Sequence, residues 1–336
     1  MILFREDVEK REFEFLSEFA TKSAQSRGRQ YPEESCIRRT EFQRDRDRII
    51  HSKAFRRLMH KTQVFISQER DHYRTRLTHT VEVAQISRTV ANILGMNSDL
   101  AEAIALGHDL GHTPFGHSGE KILNEIYPGG FRHNEQSVRV VEVLEGDKGK
   151  DGRGLNLTLE VIDGIRNHRG SGEPSTPEGK IVQICDRIAY VNHDIDDAII
   201  SGLLRLEDLP REAIAVLGDA HGKRINTLVE DLVAHSEGAN IKQGEECGEY
   251  MNMLRKFMFQ NIYNSDGVKA SEIPEVDDII KTIYFYYIDN LEDISELYES
   301  NRDLIELYGK ETVVKDIVAG MTDRYAERCY ADICRL

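Results

Sequence analysis

Between His108 and Glu120, three histidines and two carboxylates fall within thirteen positions: His108, Asp109, His112, His117 and Glu120. Imidazole and carboxylate together form a ligand set for a first-row transition metal, and the same groups carry general acid–base chemistry. Gly107, Gly111, Pro114, Gly116 and Gly119 interrupt any long helix here. Gly111 and Pro114 permit the bend that lets adjacent His108 and Asp109 turn toward one ion. A His-Asp dipeptide alone is common and carries little weight. It gains weight from His79, which faces inward, and from the flanking His/Glu cluster; a later carboxylate, Asp186, at the start of a long helical stretch would complete the set. Such a set contains no thiolate, which argues against structural zinc and suits Mn²⁺, Fe²⁺, Ni²⁺, Co²⁺ or Mg²⁺ with positions open to water and phosphate oxygens.

The elements that must position these groups read as helices. Residues 1–20 can form an amphipathic helix, a polar segment follows to Pro32, and residues 40–65 are helical with Ile49, Phe55, Leu58 and Met59 on one face. Thr75 or Thr78 can cap a helix ending near Leu94, where His79, Val83, Ile86, Val90 and Ile93 recur at steps of three and four. Ser98 is expected to cap the next, which carries Leu100, Ile104 and His108 on a shared face. Helices are expected at 118–127, 134–144 and 158–167, with loops at 145–154 and 169–178. The stretch 179–202 has an apolar stripe of Ile184, Ile188, Val191, Ile195 and Ile199. It also has a polar stripe of Asp186, Tyr190, Asp194 and Asp197, for which solvent is the plain destination, although Tyr190 and His193 are costly to leave idle on a helix built for burial. Residues 203–336 are helical in pattern (209–218, 224–235, 249–261, 275–289, 291–308, 311–334) with no ligand cluster or Gly-rich phosphate loop. The expected organisation is an all-α fold: residues 1–202 an N-terminal arm and metal-bearing core, residues 203–336 completing the core and building subunit contacts, with a weak boundary.

At 336 residues, with 40% hydrophobic and 31% charged content, the chain has the composition of an ordinary globular protein. No apolar run reaches the ~18 residues of a membrane span, the N-terminus does not read as a signal peptide, and five cysteines form no CxxC pair; a cytoplasmic protein with reduced thiols is expected. The net charge of −15 opposes broad DNA binding, which needs a basic surface to release counterions. Against it, residues 38–57 carry eight Lys or Arg and three Asp or Glu. A lattice of ion pairs and a phosphate-binding role for one or two of these arginines are both open.

The order His79, His108-Asp109, Asp186 resembles the HD-domain metal-dependent phosphohydrolases. More narrowly, Phe42–Arg57, Arg76–Ile86, Gly107–Glu120, Asp186–Asp194 and Ala319–Tyr325 are similar to the deoxyguanosinetriphosphate triphosphohydrolase (dGTPase) family. The resemblance implies an all-α HD fold, one divalent ion, and water attack at the α-phosphorus of a dNTP to give deoxynucleoside and inorganic triphosphate. It puts the metal ligands on His79, His108, Asp109 and Asp186, and the catalytic His and its acid on His117 and Glu120. The i,i+3 spacing of that pair lets the carboxylate hold the imidazole, though a capping or surface pair is the plainer alternative. It also implies His133 near the leaving triphosphate, and Arg76, His112 and Arg187 on phosphates. Gln63 and Asp194 would bind the 3′-hydroxyl, with Tyr190 crowding the 2′ position. His168 could serve a second metal, but reads more simply as a surface-loop residue. The family likeness further implies a homo-oligomer, tetramer or hexamer, and an allosteric nucleotide is possible. Two other readings stay open: an HD-type 5′-nucleotidase or phosphatase releasing orthophosphate, and a nucleotide-sensing or single-strand-binding oligomer.

Overall fold

The computed structural model describes residues 2–63, 74–146, 153–263 and 273–336; among them are sixteen α-helices and no strand. They are α1 (Arg5–Phe15), α2 (Glu41–Ile50), α3 (Lys53–Arg57), α4 (Arg76–Ile93), α5 (Ser98–Gly107), α6 (Gly116–Ile126), α7 (His133–Arg139) and α8 (Leu159–Asn167). The long α9 (Pro177–Ile200) comes next, then α10 (Arg211–Leu217), α11 (His221–His235) and α12 (Glu245–Met258). After them come α13 (Ile273–Asn290), α14 (Ser295–Tyr308), α15 (Lys310–Ala319) and α16 (Asp323–Ile333). No helix among the described residues is long and apolar enough to cross a membrane.

Local chemistry explains where the helices begin and break. The stretch expected as one helix over 40–65 is split at Ser52, whose hydroxyl accepts from Phe55 N and caps α3; residues 64 and 65 lie outside the described residues. Thr75 caps α4 as expected, whereas Asn97, not Ser98, caps α5 by accepting from the amides of Asp99 and Leu100. The stretch 311–334 is two helices, because Gly320 ends α15 and Thr322 caps α16. Of the expected loop at 145–154, residues 147–152 lie outside the described residues.

The core that carries the site is α4 packed against α5 and α9, with α5 also against α2 and α8. Val83, Ile86 and Val90 of α4 and Leu100 and Ile104 of α5 are buried, each stabilising by roughly 1.5–3 kcal/mol relative to exposure. Ile93 departs from the expected stripe: it ends α4 and is 56% exposed. Gly164 lets α8 approach α5 closely, since a Cβ there would sit 2.5 Å from Ile104 Cδ1. That approach brings the ends of α5 and α8, at His108 and His168, side by side. The α9 stripe of Asp194 and Asp197 is buried, not solvated, and Asp186 and Tyr190 are half-buried. A second apolar cluster joins Phe115, Ile122 and Leu123 to α13 and α15, and so backs the His108–Glu120 segment.

The basic stretch forms an ion-pair lattice. Arg44 and Arg48 both reach Glu33, at 2.8 and 2.7 Å, Arg39 reaches Asp47, and Arg46 reaches Asp47 and Glu102.

Candidate metal centre

His79 lies on the first turn of α4, His108 closes α5, Asp109 follows it, and Asp186 lies in α9. These four side chains meet. His79 Nε2 is 3.2 Å from Asp186 Oδ1, and His108 Nε2 is 3.6 Å from both Asp186 Oδ1 and Asp109 Oδ1. Metal–ligand bonds of roughly 2.1 Å put neighbouring donors about 3 Å apart, so these separations suit a single ion after small adjustments.

A hydrogen bond behind His108 sets its ring tautomer. His108 Nδ1 is 2.6 Å from the Ala105 carbonyl, where only an N–H is tolerated, so Nε2 keeps its lone pair. That Nε2 is buried and has no hydrogen-bond partner among the described residues. His79 Nδ1 is 3.2 Å from His193 Nδ1, leaving Nε2 to face Asp186. His193 Nε2 is in turn 3.2 Å from Glu82 Oε2. Burial, with His79 and Arg74 nearby, pushes His193 down to about 2 and keeps it neutral. Arg76 Nη1 donates to Asp109 Oδ2 at 2.8 Å. Burial alone would raise Asp109 and Asp186. Neighbouring His108 and Arg76 hold the first well below the carboxylate range, and the His79 hydrogen bond and His108 hold the second below it. A buried pair of imidazoles with two ionised carboxylates and an orphaned nitrogen fits a divalent cation.

Around this set lie the other residues singled out in the sequence. Glu120 is buried at the start of α6 and accepts from His133 N at 3.1 Å and from Arg169 Nη1 at 2.6 Å. His133 Nδ1 is 3.0 Å from Glu120 Oε1, whereas His117 Nδ1 is 3.4 Å from Glu120 Oε2 and its side chain is 62% exposed. The carboxylate is therefore shared between the two imidazoles and leans toward His133. His112 stacks on His133 with ring centroids 4.2 Å apart. His168 is not a surface-loop residue: it caps α8, is 2% exposed, and points its Nε2 at His133 Nε2, 3.3 Å away. The simpler sequence reading failed because the Arg-Asn-His-Arg setting looks polar, while packing of α8 on α5 buries its end. Gln63 is buried at the edge of the described residues. Tyr190 and Asp194 lie one and two turns along α9 from Asp186, about 6 and 12 Å up its axis. Burial pushes the Tyr190 hydroxyl up to about 12. Arg187 Nε bonds the Gln183 carbonyl at 3.3 Å, on its own helix.

Buried polar atoms normally find partners, so those that do not are informative. Gln63 Oε1, Arg76 Nε and His112 Nδ1 join His108 Nε2 as buried side-chain atoms without a hydrogen-bond partner among the described residues.

The turn between α5 and α6 is locked from three sides. Ser137 Oγ accepts from Gly111 N at 2.9 Å and donates to the His108 carbonyl at 2.7 Å. Gly111 is required because a Cβ would lie 2.2 Å from Ser137 N and 2.7 Å from the His133 carbonyl. Phe115 adopts φ 59°, and its amide donates to Asp323 Oδ1 at 2.9 Å. Lys61 Nζ donates to the carbonyls of His112 and Ala319. Sequence reasoning missed Lys61, Arg169, Glu82 and Asp323. Of these, Glu82 lies within the Arg76–Ile86 likeness and Asp323 within the Ala319–Tyr325 likeness.

Family models match two parts of the chain: an HD domain over residues 76–191 and a phosphohydrolase-associated domain over 241–332. A deoxyguanosinetriphosphate triphosphohydrolase-like protein of Caldanaerobacter subterraneus subsp. tengcongensis is 56% identical over 98% of this chain and 95% of its own. Proteins of the same name from Clostridium perfringens and Desulfatibacillum aliphaticivorans are 49% and 45% identical. They cover 96% and 98% of this chain and 94% and 97% of theirs.

Proposed function

We propose that this chain, which belongs to the deoxyguanosinetriphosphate triphosphohydrolase-like family of HD-domain phosphohydrolases, hydrolyses a deoxynucleoside triphosphate to deoxynucleoside and inorganic triphosphate. The observation that carries this reading is the convergence of His79, His108, Asp109 and Asp186, with the buried His108 Nε2 lacking a hydrogen-bond partner among the described residues. A divalent ion held there would polarise a phosphoryl oxygen and lower the pKa of water.

The protein's own groups divide the remaining work. Arg76 holds Asp109 in place through Nη1, and among the described residues neither its Nε nor His112 Nδ1 has a hydrogen-bond partner. Both would meet phosphate oxygens, where charge stabilisation is worth several kcal/mol as the phosphoryl group transfers. His117, exposed and 3.4 Å from Glu120, is the group able to move a proton at the opening of the site. Gln63 Oε1, without a hydrogen-bond partner among the described residues, would read the sugar with Tyr190 and Asp194 along α9, Gln63 and Asp194 at the 3′-hydroxyl and Tyr190 against the 2′ position. Arg187 would have to leave its bond to Gln183 to reach a phosphate.

The test is a panel of the four dNTPs and GTP with Mg²⁺, Mn²⁺ and Ni²⁺, with products separated by chromatography. Inorganic triphosphate from a dNTP is expected. Orthophosphate as the first product would replace this reading with a nucleotidase, and equal activity on GTP and dGTP would remove the sugar-reading roles. His117→Ala should lower turnover by about 10²–10⁴ while nucleotide binding persists.

A further inference from the structure

Glu120 has more claimants than it can serve at once. Its Oε1 lies 2.6 Å from Arg169 Nη1, 3.1 Å from His133 N and 3.0 Å from His133 Nδ1. Its Oε2 lies 3.1 Å from His133 Nδ1 and 3.4 Å from His117 Nδ1. Burial would raise this carboxyl, but the hydrogen bonds from His117 and His133 hold it ionised. The shortest contact joins it to the guanidinium, a charge-assisted bond, and the longest joins it to His117. As the structure stands, Arg169 has the firmer hold on the carboxylate that His117 needs behind it.

Arg169 itself is loosely held. It follows His168 at the end of α8, ahead of Gly170 at φ 65°, and its side chain is 45% exposed. Among the described residues only its Nη1 is engaged, which leaves the N–H donors of Nε and Nη2 to meet an anion. It also stands beside a proposed phosphate contact: its Nη1 is 3.0 Å from His133 Nδ1, and the His133 ring stacks on His112. We propose that Arg169 is a substrate-sensing switch on the His117–Glu120 pair. Before nucleotide binds it holds Glu120; with a triphosphate bound it turns to the outer phosphates and releases the carboxylate to His117. The exchange is an even one, since the guanidinium fork matches carboxylate and phosphate alike. Glu120 keeps its bonds to His133 throughout, so the carboxylate stays in place while its second partner changes. The switch rests on the reading that a triphosphate is attacked at its α-phosphorus. The competing account makes Arg169 a fixed clamp that only braces Glu120.

Two substrates separate the accounts. One is the dNTP that the wild type turns over fastest; the other is the p-nitrophenyl ester of the matching deoxynucleoside monophosphate, which offers an α-phosphorus without outer phosphates. The full chain is assayed with Mn²⁺ as wild type, Arg169→Gln and Arg169→Lys. On the dNTP, Arg169→Gln should lower kcat/KM by about 10- to 100-fold, the worth of one hydrogen bond to a charged group. On the ester the same variant should turn over about 2- to 10-fold faster than wild type, because Glu120 is released without a trigger. Arg169→Lys keeps the charge but not the fork and should fall between on both. Losses on both substrates in Arg169→Gln, or an ester rate no higher than that of the wild type, zero included, would overturn the switch and leave the reading of the reaction standing. Orthophosphate as the first product of the wild type from the dNTP would sink that reading and the switch together, and the product alone tells this case apart. Circular dichroism checks folding; if Arg169→Gln does not fold, Arg169→Lys decides on the same two substrates.

Discussion

His193 touches no proposed ligand position of the ion, yet it sets how His79 presents its lone pair. Its Nδ1 is 3.2 Å from His79 Nδ1, its ring is 1% exposed, and its far nitrogen is 3.2 Å from Glu82. Replacing it with Phe keeps an aromatic volume but removes the partner of His79 Nδ1. With an ion on Nε2 the His79 proton sits on Nδ1, and leaving that buried N–H unpaired costs about 1–3 kcal/mol. His79 can recover part of that by switching tautomer, which puts its proton on Nε2 where the ion must bind. Removing a partner behind a metal-bound histidine typically lowers affinity by about 10- to 100-fold, or roughly 1.4–2.7 kcal/mol, which agrees with the hydrogen-bond figure. The measurement is competition for Mn²⁺ against a fluorescent chelator, run on wild type, His193→Phe and His193→Gln. Weaker binding in the Phe variant, with partial recovery in Gln and turnover restored by excess metal, is expected. Equal affinities in all three, with folding intact, would refute a role for His193 in orienting His79.

Three further outcomes follow from groups around the site. Asp45 is fully buried and accepts from Arg29, from Thr158 N at 2.8 Å and from Thr158 Oγ1 at 2.6 Å. Asp45→Ala should therefore cost about 3–5 kcal/mol in urea unfolding, and a loss under 1 kcal/mol would show the pair to be weakly coupled. Lys61 is pushed down to about 7 by burial, with Arg57 and Arg76 adding to the effect, against 10.5 when unfolded. Between those values the unfolded chain holds the extra proton, so this group adds stability as pH rises and withdraws it as pH falls toward 7; Lys61→Met should flatten the slope by up to about 1.4 kcal/mol per pH unit, and parallel slopes would count against it. Asp323→Ala leaves the Phe115 amide unpaired beside a left-handed backbone, and a loss of about 1–3 kcal/mol with weakened metal binding is expected; unchanged metal affinity would detach this contact from the site.

What the sequence could reveal depended on whether a residue's role was set within one helix or between several. His79 and His108 end apolar stripes with helical spacing, and that spacing alone turned them inward. The α9 stripe was harder: Asp194 and Asp197 look solvated by type, and only the helices packed around α9 bury them. His168 was harder still, since nothing near it in sequence signals that Gly164 lets α8 close against α5. Glu120 shows a different limit. Its i,i+3 distance from His117 made that pair legible, but the stronger partners, His133 and Arg169, lie thirteen and forty-nine residues away. Helix breaks at Ser52 and Gly320 were missed because the apolar pattern runs across both sides of each.

The C-terminal helices belong to the chemistry as much as the histidines do. Phe115 sits at φ 59°, a conformation that costs a non-glycine residue of order 1–3 kcal/mol, and it turns the chain from His112 into α6 so that His117 and Glu120 face the site. The surroundings must over-determine such a turn for it to persist. They do so through one residue of α16: Asp323 takes the Phe115 amide on one oxygen and the Thr62 amide on the other, at 2.9 and 2.8 Å. Thr62 adjoins Gln63, and Lys61 beside it joins the His112 carbonyl to the Ala319 carbonyl at the end of α15. A single carboxylate more than two hundred positions downstream thus fixes the loop leading to His117 and Glu120 and the stretch of chain bearing Gln63 against each other. The phosphohydrolase-associated segment is on that account packed against the candidate site: without α16 the Phe115 and Thr62 amides would both lose the Asp323 carboxylate that holds this turn.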